Sequence, residues 1–334
     1  MSPPVAVTPA VAGPTDLTAL IALDWGTSSL RGARLDTHGA VLEERAFPRG
    51  ILSVEPGTFP AVFAAHFGDW MALMQASGTQ PLCLISGMAG SQQGWVEAPY
   101  CTCPAGLAEV AAQLQWVDAQ RQIAIVPGLC CETEGVPDVM RGEETQVFGA
   151  LQLLGVAGAC DGLFVLPGTH SKWVTVKGGR IEHFTTLMTG EFYALLRRHS
   201  ILARTLPADD GAPHDAACAA AFDAAFDAGV ALALSGGRGG SLLHHAFSVR
   251  SLALFERLPA AQAPSYLSGL VIGEELRSRQ LSGTEHVTLI GDPALTARYR
   301  RALALCGVPA RSLDAHATWR GLHQLARHVA RPAH

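Results

Sequence analysis

The feature of this sequence that most constrains its fold is a four-residue motif that occurs twice. Gly26-Thr27-Ser28-Ser29 and Gly168-Thr169-His170-Ser171 both follow the pattern Gly-Thr-x-Ser, and their first glycines lie 142 positions apart. A short apolar run typical of a buried strand precedes each copy, and a second strand-like run follows it. Either copy alone is compatible with an ordinary hairpin turn. A repeat at the spacing of a domain instead predicts two units of similar architecture.

The elements that flank the motif follow the same order in both halves of the chain. Each half begins with three predicted strands in an antiparallel meander, and strands and helices alternate over the rest of the sequence. This pattern predicts an α/β protein with two lobes, at residues 18–160 and 161–334. Residues 1–17, which are rich in proline and alanine, are predicted to form a disordered tail.

Composition and charge exclude several classes of function. The 334 residues are 49% hydrophobic and 16% charged, which is sufficient to bury a core in each lobe. The net charge of -5 and the lack of a basic run argue against a nucleic-acid partner. No apolar run approaches the roughly 18 residues of a membrane span, and the start of the chain lacks the basic and apolar regions of a secretory signal. We therefore expect a cytoplasmic protein without a membrane partner, and the choice between monomer and homodimer stays open.

The repeated motif has the chemistry of a phosphate-binding turn. Backbone N–H groups and hydroxyls at a tight turn between two strands form a concavity that binds phosphate oxygens. Two such turns facing each other would hold a polyphosphate from both sides. A strand–loop–helix unit typical of nucleotide-binding folds begins with the predicted strand at 286–290, and its loop starts at Gly291. The predicted nucleotide-binding residues are Gly26, Thr27, Ser28, Ser29, Gly168, Thr169, His170, Lys172 and Gly291.

The two copies of the motif differ at positions that carry charge. Asp24 precedes the first copy where Leu166 precedes the second, and Lys172 follows the second copy where Leu30 follows the first. Mg²⁺ typically takes one or two carboxylates together with water and phosphate oxygens. Asp24 is therefore predicted to be a catalytic residue that organises Mg²⁺, and Lys172 to contact a phosphate. The alternative for both side chains is an ordinary surface charge.

A helix is predicted to start at Gly142, immediately before two adjacent carboxylates. Glu143 or Glu144 is a candidate general base that takes the proton from an attacking hydroxyl. Arg141, next to them, has the geometry to hold a substrate carboxylate with two parallel hydrogen bonds. Simple capping of the helix by the carboxylates is the alternative.

The glycine-rich stretch 86–95 combines hydroxyl, amide and indole groups. These groups suit the recognition of a polyhydroxylated substrate, and Ser91 and Trp95 are the predicted contacts. A connecting loop without a role in binding is the alternative interpretation.

These motifs, taken together and in order from about Leu20 to Val329, resemble the 2-dehydro-3-deoxygalactonokinase family. The first of them also resembles the first phosphate motif of the actin/hexokinase/Hsp70 superfamily. The segments that carry the resemblance are DWGTSSLR at 24–31, ISGMAGSQQGW at 85–95, PGLC at 127–130, MRGEETQ at 140–146, LPGTHSKW at 166–173, MTGE at 188–191, LSGLVIG at 267–273 and LTARY at 295–299.

The resemblance implies a fold and an activity. The fold is a two-lobed actin-like ATPase (ribonuclease H-like) α/β fold, in which each lobe is a mixed five-stranded sheet flanked by helices. The first lobe would carry the sugar-acid site and the second the nucleotide site. The implied activity is phosphorylation of the 6-hydroxyl of 2-dehydro-3-deoxy-D-galactonate in D-galactonate catabolism, with ATP and Mg²⁺ as cofactors.

The sequence departs from the wider superfamily at three positions, two of them in the motifs above. Related sugar kinases take their catalytic Asp from a Gly-Asp-Gln helix start, where this chain has Gly142-Glu143-Glu144. The second phosphate motif usually begins with Asp, where this chain has Leu166, and the adenosine motif usually has paired glycines, where it has Gly291-Asp292. The choice of base between Glu143 and Glu144 is left open.

Two other classes of function are compatible with the same motifs. One is a kinase of another sugar acid, such as the epimeric 2-keto-3-deoxygluconate. The other is a protein that binds a nucleotide without sugar chemistry, such as a non-catalytic regulator or a filament-forming actin relative. ADP release that depends on a sugar acid distinguishes the kinases from the second class.

Overall fold

The computed structural model describes residues 19–329, except for positions 77, 79–81, 119–121, 156–160, 208–214, 237–239, 280 and 315. The described chain divides into two compact units. Unit 1 comprises the described residues up to Asp161, Val174–Phe184 and those after Asp314, and unit 2 comprises Gly162–Trp173 and Thr185–Asp314. The units are therefore not two consecutive halves of the chain. The predicted tail at 1–17 lies outside the described residues.

The first part of the chain forms most of unit 1. Its strands are β1 (Leu20–Trp25), β2 (Leu30–Leu35), β3 (Val41–Phe47), β4 (Cys83–Gly87), β5 (Tyr100–Thr102), β6 (Gln115–Asp118), β7 (Ile123–Ile125), β8 (Gly128–Thr133) and β9 (Val136–Met140). Its helices are α1 (Phe59–Ala76), α2 (Leu107–Ala112) and α3 (Glu143–Leu153).

The second part of the chain forms unit 2 and also contributes Val174–Phe184 and the last helix to unit 1. Its strands are β10 (Gly162–Leu166), β11 (Ser171–Lys177), β12 (Arg180–Leu187), β13 (Val287–Ile290) and β14 (Ala310–Leu313). Its helices are α4 (Thr189–His199), α5 (Ala216–Leu234), α6 (Leu242–His245), α7 (Ser248–Leu254), α8 (Ala263–Arg277), α9 (Pro293–Leu305) and α10 (Ala317–Ala326).

Two larger sheets follow the same plan. The strand order is β3-β2-β1-β4-β7-β6 in the first sheet and β12-β11-β10-β13-β14 in the second. In the first, β1 pairs antiparallel with β2 and parallel with β4, and β4 pairs parallel with β7. In the second, β10 pairs parallel with β13, and β13 with β14. The shared order confirms the predicted mixed α/β fold built twice in one chain.

The first sheet has six strands, not the predicted five. The additional strand β6 pairs antiparallel with β7 at the edge. Its four residues include only two apolar side chains, so pairing with β7 decides its conformation. The β8–β9 hairpin was also missed by sequence reasoning, although Glu134 and Gly135 supply the positive φ angles of its turn (52° and 80°).

Burial along the strands follows their place in the sheet. β1 lies in the centre and is buried along almost its whole length, because neighbouring elements cover it on both faces. β3 lies at the edge, and none of its residues is fully buried. Its run Glu43-Glu44-Arg45 is typical of an edge strand, where charges discourage pairing with another chain.

Helix α5 is long and apolar enough, by composition, to span a membrane. Within unit 2, however, it packs closely on α8. A Cβ atom on Gly229 of α5 would lie 2.2 Å from the carbonyl oxygen of Tyr266, and one on Gly269 of α8 would lie 2.1 Å from that of Phe226. Small residues at this crossing let the two helix backbones approach each other.

Helices α3 and α10 also cross in close contact within unit 1. A Cβ atom on Gly149 would lie 1.7 Å from the carbonyl oxygen of Ala317, and one on Gly321 would lie 1.8 Å from that of Thr145. Side chains at these two positions would push the helices apart, so the crossing requires glycine. Because α3 begins at the candidate catalytic glutamates, the crossing also fixes the position of that helix.

We expect Gly149→Ala to destabilise the protein, because the added methyl group overlaps the backbone of α10. Overpacking of this kind costs about 1–3 kcal/mol in the free energy of unfolding, and occasionally more. Gly68→Ala in α1 is the matched control, since its nearest neighbour would be the Ala64 Cβ at 3.8 Å. The control should be neutral, or stabilising by up to about 1 kcal/mol. Urea denaturation followed by circular dichroism measures both variants, and equal stability of the two would contradict the described crossing.

Candidate active site

Asp24 lies near the carboxyl end of the central strand β1. Its cross-strand partner on β2 is Arg31, whose Nη2 lies 2.5 Å from the Asp24 Oδ2. The Asp24 side chain is 20% exposed, so the carboxylate is paired and also accessible. The Arg31 guanidinium lies 5.7 Å from the ring centre of Trp319 on α10. Sequence reasoning missed Arg31, although it is the last residue of the first quoted motif.

The first Gly-Thr-x-Ser turn connects β1 to β2. The N–H of Gly26 donates to the carbonyl of Ser29 at 2.9 Å and closes the turn. Thr27, Ser28 and Ser29 are exposed, so their hydroxyls are available to a ligand. The turn rests on Gly50, where a Cβ atom would lie 2.2 Å from the carbonyl oxygen of Thr27.

Two glycines bring the start of α3 next to Asp24. Gly87, at the end of β4, has φ +93°, and a Cβ atom there would lie 3.2 Å from the Asp24 Oδ1. Gly142, which precedes α3, has φ +106°, and its Cβ would lie 3.2 Å from the Gly87 Cα. Both glycines are in the region of φ that favours glycine, and both have backbone or carboxylate on the side where Cβ would project. Asp24 and the residue that precedes α3 therefore both adjoin Gly87.

Hydroxyl groups tie the start of α3 to β4. The Thr145 hydroxyl donates to the carbonyl of Gly142 at 2.6 Å and lies 2.9 Å from the Ser86 Oγ. Ser86 is the neighbour of Asp24 in the β1–β4 register. These contacts hold the helix start at the same end of the sheet as the Asp24 carboxylate.

The two adjacent glutamates have different environments. Glu143 is half-buried, and its Oε2 accepts a hydrogen bond from the N–H of Arg141 at 3.0 Å. Glu144 is completely buried; its Oε2 accepts from the N–H of Gly142 at 2.6 Å, and its Oε1 has no hydrogen-bond partner among the described residues. Burial, and next the charge of Glu143, raise the pKa of Glu144 to about 8.

Arg141 is a buried cation beside the same helix start. Its Nη2 donates to the carbonyl of Ala98 at 2.8 Å, and its guanidinium lies 4.4 Å from the ring centre of Tyr100. Its Nε and Nη1 are buried and make no hydrogen bond within the described part of the chain. The guanidinium thus has unused donors, but they are enclosed by its neighbours.

Ser91 and Trp95 have local partners in unit 1. The Ser91 hydroxyl donates to the carbonyl of Met88 at 2.8 Å. The Trp95 ring is partly buried and lies 6.2 Å from the ring of Trp25 and 5.6 Å from that of Phe63. Their predicted contact with substrate stays a prediction, because these partners account for both side chains structurally.

The second Gly-Thr-x-Ser turn connects β10 to β11 in unit 2. Thr169 and His170 are exposed, whereas Ser171 and Lys172 are buried. The Lys172 ammonium donates to the Thr186 hydroxyl of β12 at 2.7 Å. Lys172 therefore lies beneath the turn and not on its rim, and its contact with a phosphate stays a prediction.

Gly291 follows β13 beside the second turn. It has φ +144°, and a Cβ atom there would lie 3.7 Å from the carbonyl oxygen of Pro167. The next residue, Asp292, caps α9 by accepting hydrogen bonds from the N–H groups of Ala294 and Leu295 at 2.9 and 3.0 Å. A cavity of about 310 Å³ adjoins Gly291 and is lined in part by Thr296, Arg300, Ser312 and Asp314.

The structure therefore groups the predicted residues within each unit. In unit 1, the ends of β1 and β4 are surrounded by Asp24, the first turn, Arg141 and Glu143. In unit 2, the second turn and Gly291 lie side by side at the ends of β10 and β13. Parallel neighbouring strands place their carboxyl ends at one edge of a sheet, which is where ligands bind in α/β folds.

Comparison with known proteins assigns the chain to a family. The sequence model of the family described as 2-keto-3-deoxy-galactonokinase matches residues 24–325, which is most of the chain. The chain belongs to this family. The match includes every predicted site residue, from Asp24 to Gly291.

Relatives of the family are similar over nearly their whole length. A Rhizobium meliloti (strain 1021) protein assigned as a 2-dehydro-3-deoxygalactonokinase is 39% identical over 92% of this chain and 96% of its own. The Escherichia coli (strain K12) 2-dehydro-3-deoxygalactonokinase is 34% identical over 93% and 98%. The crystal structure of a Sinorhizobium meliloti protein assigned to the same activity aligns with a TM-score of 0.77, at 38% identity, over 94% of this chain and 100% of that one.

We predict that Glu144→Gln will change the pH dependence of stability. Because the pKa of Glu144 is raised when the protein folds, the folded state holds this proton more tightly than the unfolded state. The stability that the proton provides is complete below the ordinary carboxyl pKa and is lost as pH rises towards about 8. Over that window, wild-type stability should fall by up to about 1.4 kcal/mol per pH unit from this group.

Glutamine resembles the protonated side chain and cannot ionise, so the variant should gain stability relative to wild type between pH 5 and pH 8. Urea denaturation at several pH values measures this difference, with Glu134→Gln on the exposed β8–β9 turn as the control. A difference between Glu144→Gln and wild type that does not vary with pH would show that Glu144 is ionised when the protein is folded.

Proposed function

We propose that this protein transfers the terminal phosphoryl group of ATP to the 6-hydroxyl of 2-dehydro-3-deoxy-D-galactonate, a step of D-galactonate catabolism, in the cytoplasm. Membership of the 2-keto-3-deoxy-galactonokinase family over residues 24–325 is the observation that carries this proposal. The contacts of Gly87 add a chemical reason. The accessible Asp24 carboxylate, which could hold a metal, and Gly142, which directly precedes the candidate base, both adjoin this glycine.

Glu143 is the general base of the proposed reaction. A base must come within hydrogen-bonding distance of the proton that it removes. Glu143 is half-buried and can reach a bound hydroxyl, whereas Glu144 is completely enclosed. A carboxyl with a pKa raised to about 8 is also largely protonated at neutral pH and cannot then accept a proton. Glu144 instead supports the helix start through the N–H of Gly142.

Asp24 is the residue that would hold Mg²⁺, directly or through water. Among the described residues there is no cluster of three or more His, Cys, Asp or Glu side chains that could enclose a metal. One accessible carboxylate fits an ion that takes its other ligands from water and phosphate oxygens. Bound there, the ion would neutralise charge on the transferring phosphoryl group. Arg31 holds the Asp24 carboxylate in place from the β2 side.

The two Gly-Thr-x-Ser turns are the proposed phosphate-binding elements, and Gly291 with its adjoining cavity is proposed to lie next to the adenosine. Phosphoryl transfer depends mainly on positioning and charge stabilisation, which rigid turns between strands provide. On the sugar-acid side, the unused donors of Arg141 make it the candidate for the substrate carboxylate. Ser91 and Trp95 in the loop 86–95 remain proposed contacts.

A coupled assay of ADP release tests the proposed activity. We expect turnover that requires ATP, Mg²⁺ and a sugar acid, with the highest kcat/KM on 2-dehydro-3-deoxy-D-galactonate. The panel should include 2-keto-3-deoxygluconate, and a preference for that epimer would make the protein a kinase of the other sugar acid. ADP release that does not respond to any sugar acid would contradict the proposal and favour a nucleotide-binding regulator.

We predict that Glu143→Gln will lower kcat by about 10²–10⁴-fold, the usual contribution of a general base. The KM for the sugar acid should change little, because the amide keeps the size of the side chain and can hydrogen-bond to the substrate hydroxyl. Glu144→Gln is the neighbouring comparison and should retain most of kcat at neutral pH. Steady-state kinetics with both substrates varied measures these effects. A severe loss in Glu144→Gln with normal turnover in Glu143→Gln would move the base by one residue.

A further inference from the structure

A buried carboxylate in unit 2 accepts four hydrogen bonds. Glu275 on α8 is 3% exposed. Its Oε1 accepts from the Ser171 hydroxyl at 2.8 Å and from the Trp173 indole N–H at 2.5 Å. Its Oε2 accepts from the Tyr299 hydroxyl at 2.6 Å and from the Thr189 hydroxyl. A buried carboxylate is costly unless hydrogen bonds satisfy its oxygens, and here each oxygen has two donors.

The four donors come from three elements that surround the second Gly-Thr-x-Ser turn. Ser171 and Trp173 belong to β11, which begins where the turn ends. Thr189 is the first residue of α4. Tyr299 lies on α9, the helix that follows Gly291. Glu275 thus links the end of the second turn to α4 and to α9, the helix that follows Gly291.

The contacts on β11 determine the direction of Lys172. Successive side chains of a strand point to opposite faces, so Ser171 and Trp173 share the face that meets Glu275. Lys172 must then point to the other face, where its ammonium contacts Thr186. Loss of the Glu275 contacts would remove one restraint on β11 directly after the turn, in addition to its pairing with β10 and β12.

The contact with α4 supports the turn from its other side. Thr189 is followed by Gly190, where a Cβ atom would lie 2.5 Å from the carbonyl oxygen of Gly168. The N–H of Glu191 donates to the carbonyl of Thr169 at 3.0 Å, and the Glu191 carboxylate lies 2.6 Å from the His170 Nε2. The start of α4 is therefore packed along the turn, and Glu275 fixes its first residue.

The contact with Tyr299 extends the network to α9. Burial, and next the charge of Glu275, raise the pKa of the Tyr299 phenol, which therefore stays protonated and donates its hydrogen bond. Arg279 lies with its guanidinium 5.9 Å from the Trp173 ring and interacts electrostatically with Glu275. The four direct donors are all uncharged side chains.

We propose that Glu275 is a positioning residue for nucleotide binding: through Ser171, Trp173, Thr189 and Tyr299 it holds the second phosphate turn against α4 and α9 before the nucleotide arrives. The inference rests on the proposed function only in assigning this turn to the nucleotide. A preset turn loses less conformational freedom on binding, so the network contributes to affinity without touching the ligand.

Glu275→Gln tests this inference, because it keeps the size of the side chain but replaces one acceptor oxygen with an NH₂ group that faces two donors. We expect the Kd for ADP to rise by about tenfold or more, since each mispaired buried group disturbs the turn. The KM for the sugar acid should stay within about twofold, because the proposed sugar-acid residues belong to unit 1. Isothermal titration with ADP and Mg²⁺ measures the first quantity and steady-state kinetics the second.

Two controls separate positioning from a general loss of stability. Glu274→Gln removes a carboxylate one residue away, which pairs with Arg277 on the helix surface. This variant should not change the Kd for ADP. Leu270→Ala removes a completely buried side chain of the same helix from a different cluster, and lowers stability without touching the network. If Glu275→Gln and Leu270→Ala lose equal melting temperature and show equal ADP affinity, the residue is only structural and the inference is overturned.

A second variant covers the case in which Glu275→Gln does not fold. Trp173→Phe removes one of the four donors and keeps an aromatic ring, and we expect it to raise the Kd for ADP by about threefold to tenfold. A folded Trp173→Phe with wild-type ADP affinity would overturn the inference. ADP binding is measured without sugar acid, so it also separates this inference from the proposed function, which fails if the wild type binds ADP but phosphorylates no sugar acid.

Discussion

The close approach of backbone at Gly87 and Gly142 is the constraint on which the candidate active site depends. It places the start of α3, where the candidate base Glu143 lies, next to the end of β4, which adjoins the Asp24 carboxylate. Any side chain at either glycine would meet backbone or the Asp24 carboxylate. The crossing of α3 with α10, at Thr145 and Gly149, then holds the first two turns of the helix that begins with the candidate base.

Two glutamate side chains are buried in very different environments. Glu275 receives four hydrogen bonds from uncharged side chains. Glu144 has one oxygen without a partner in the described structure, and its raised pKa lets it hold a proton instead. Both carboxylate oxygens of Glu275 are satisfied by hydrogen-bond donors. The raised pKa of Glu144 instead favours the uncharged form of its carboxyl group. Both glutamates lie beneath candidate binding elements, where a rigid backbone aids phosphoryl transfer.

Much of the fold and some of the site could be predicted from local patterns. The strands around both Gly-Thr-x-Ser turns, the helix after Gly142 and the strand before Gly291 all lie where the patterns placed them. β6 and the β8–β9 hairpin were missed, because short segments of mixed polarity form strands only when a neighbour pairs with them. Arg31 was missed for a related reason: its partner Asp24 is opposite it only once β1 and β2 are in register.

The sequence by itself determined the repeat, the α/β class, the family and the set of candidate residues, because these depend on residue order and local periodicity. The tertiary structure decided which of those residues are accessible to a ligand and which are enclosed. Only folding buries Glu144 and leaves Glu143 accessible, encloses the Arg141 guanidinium, and turns Lys172 away from Glu275. Burial and the choice of hydrogen-bond partners depend on residues far apart in the sequence. Glu275 on α8, for example, contacts a turn about a hundred residues earlier in the chain. Local sequence cannot bring such distant residues together, because the fold closes the long loop between them.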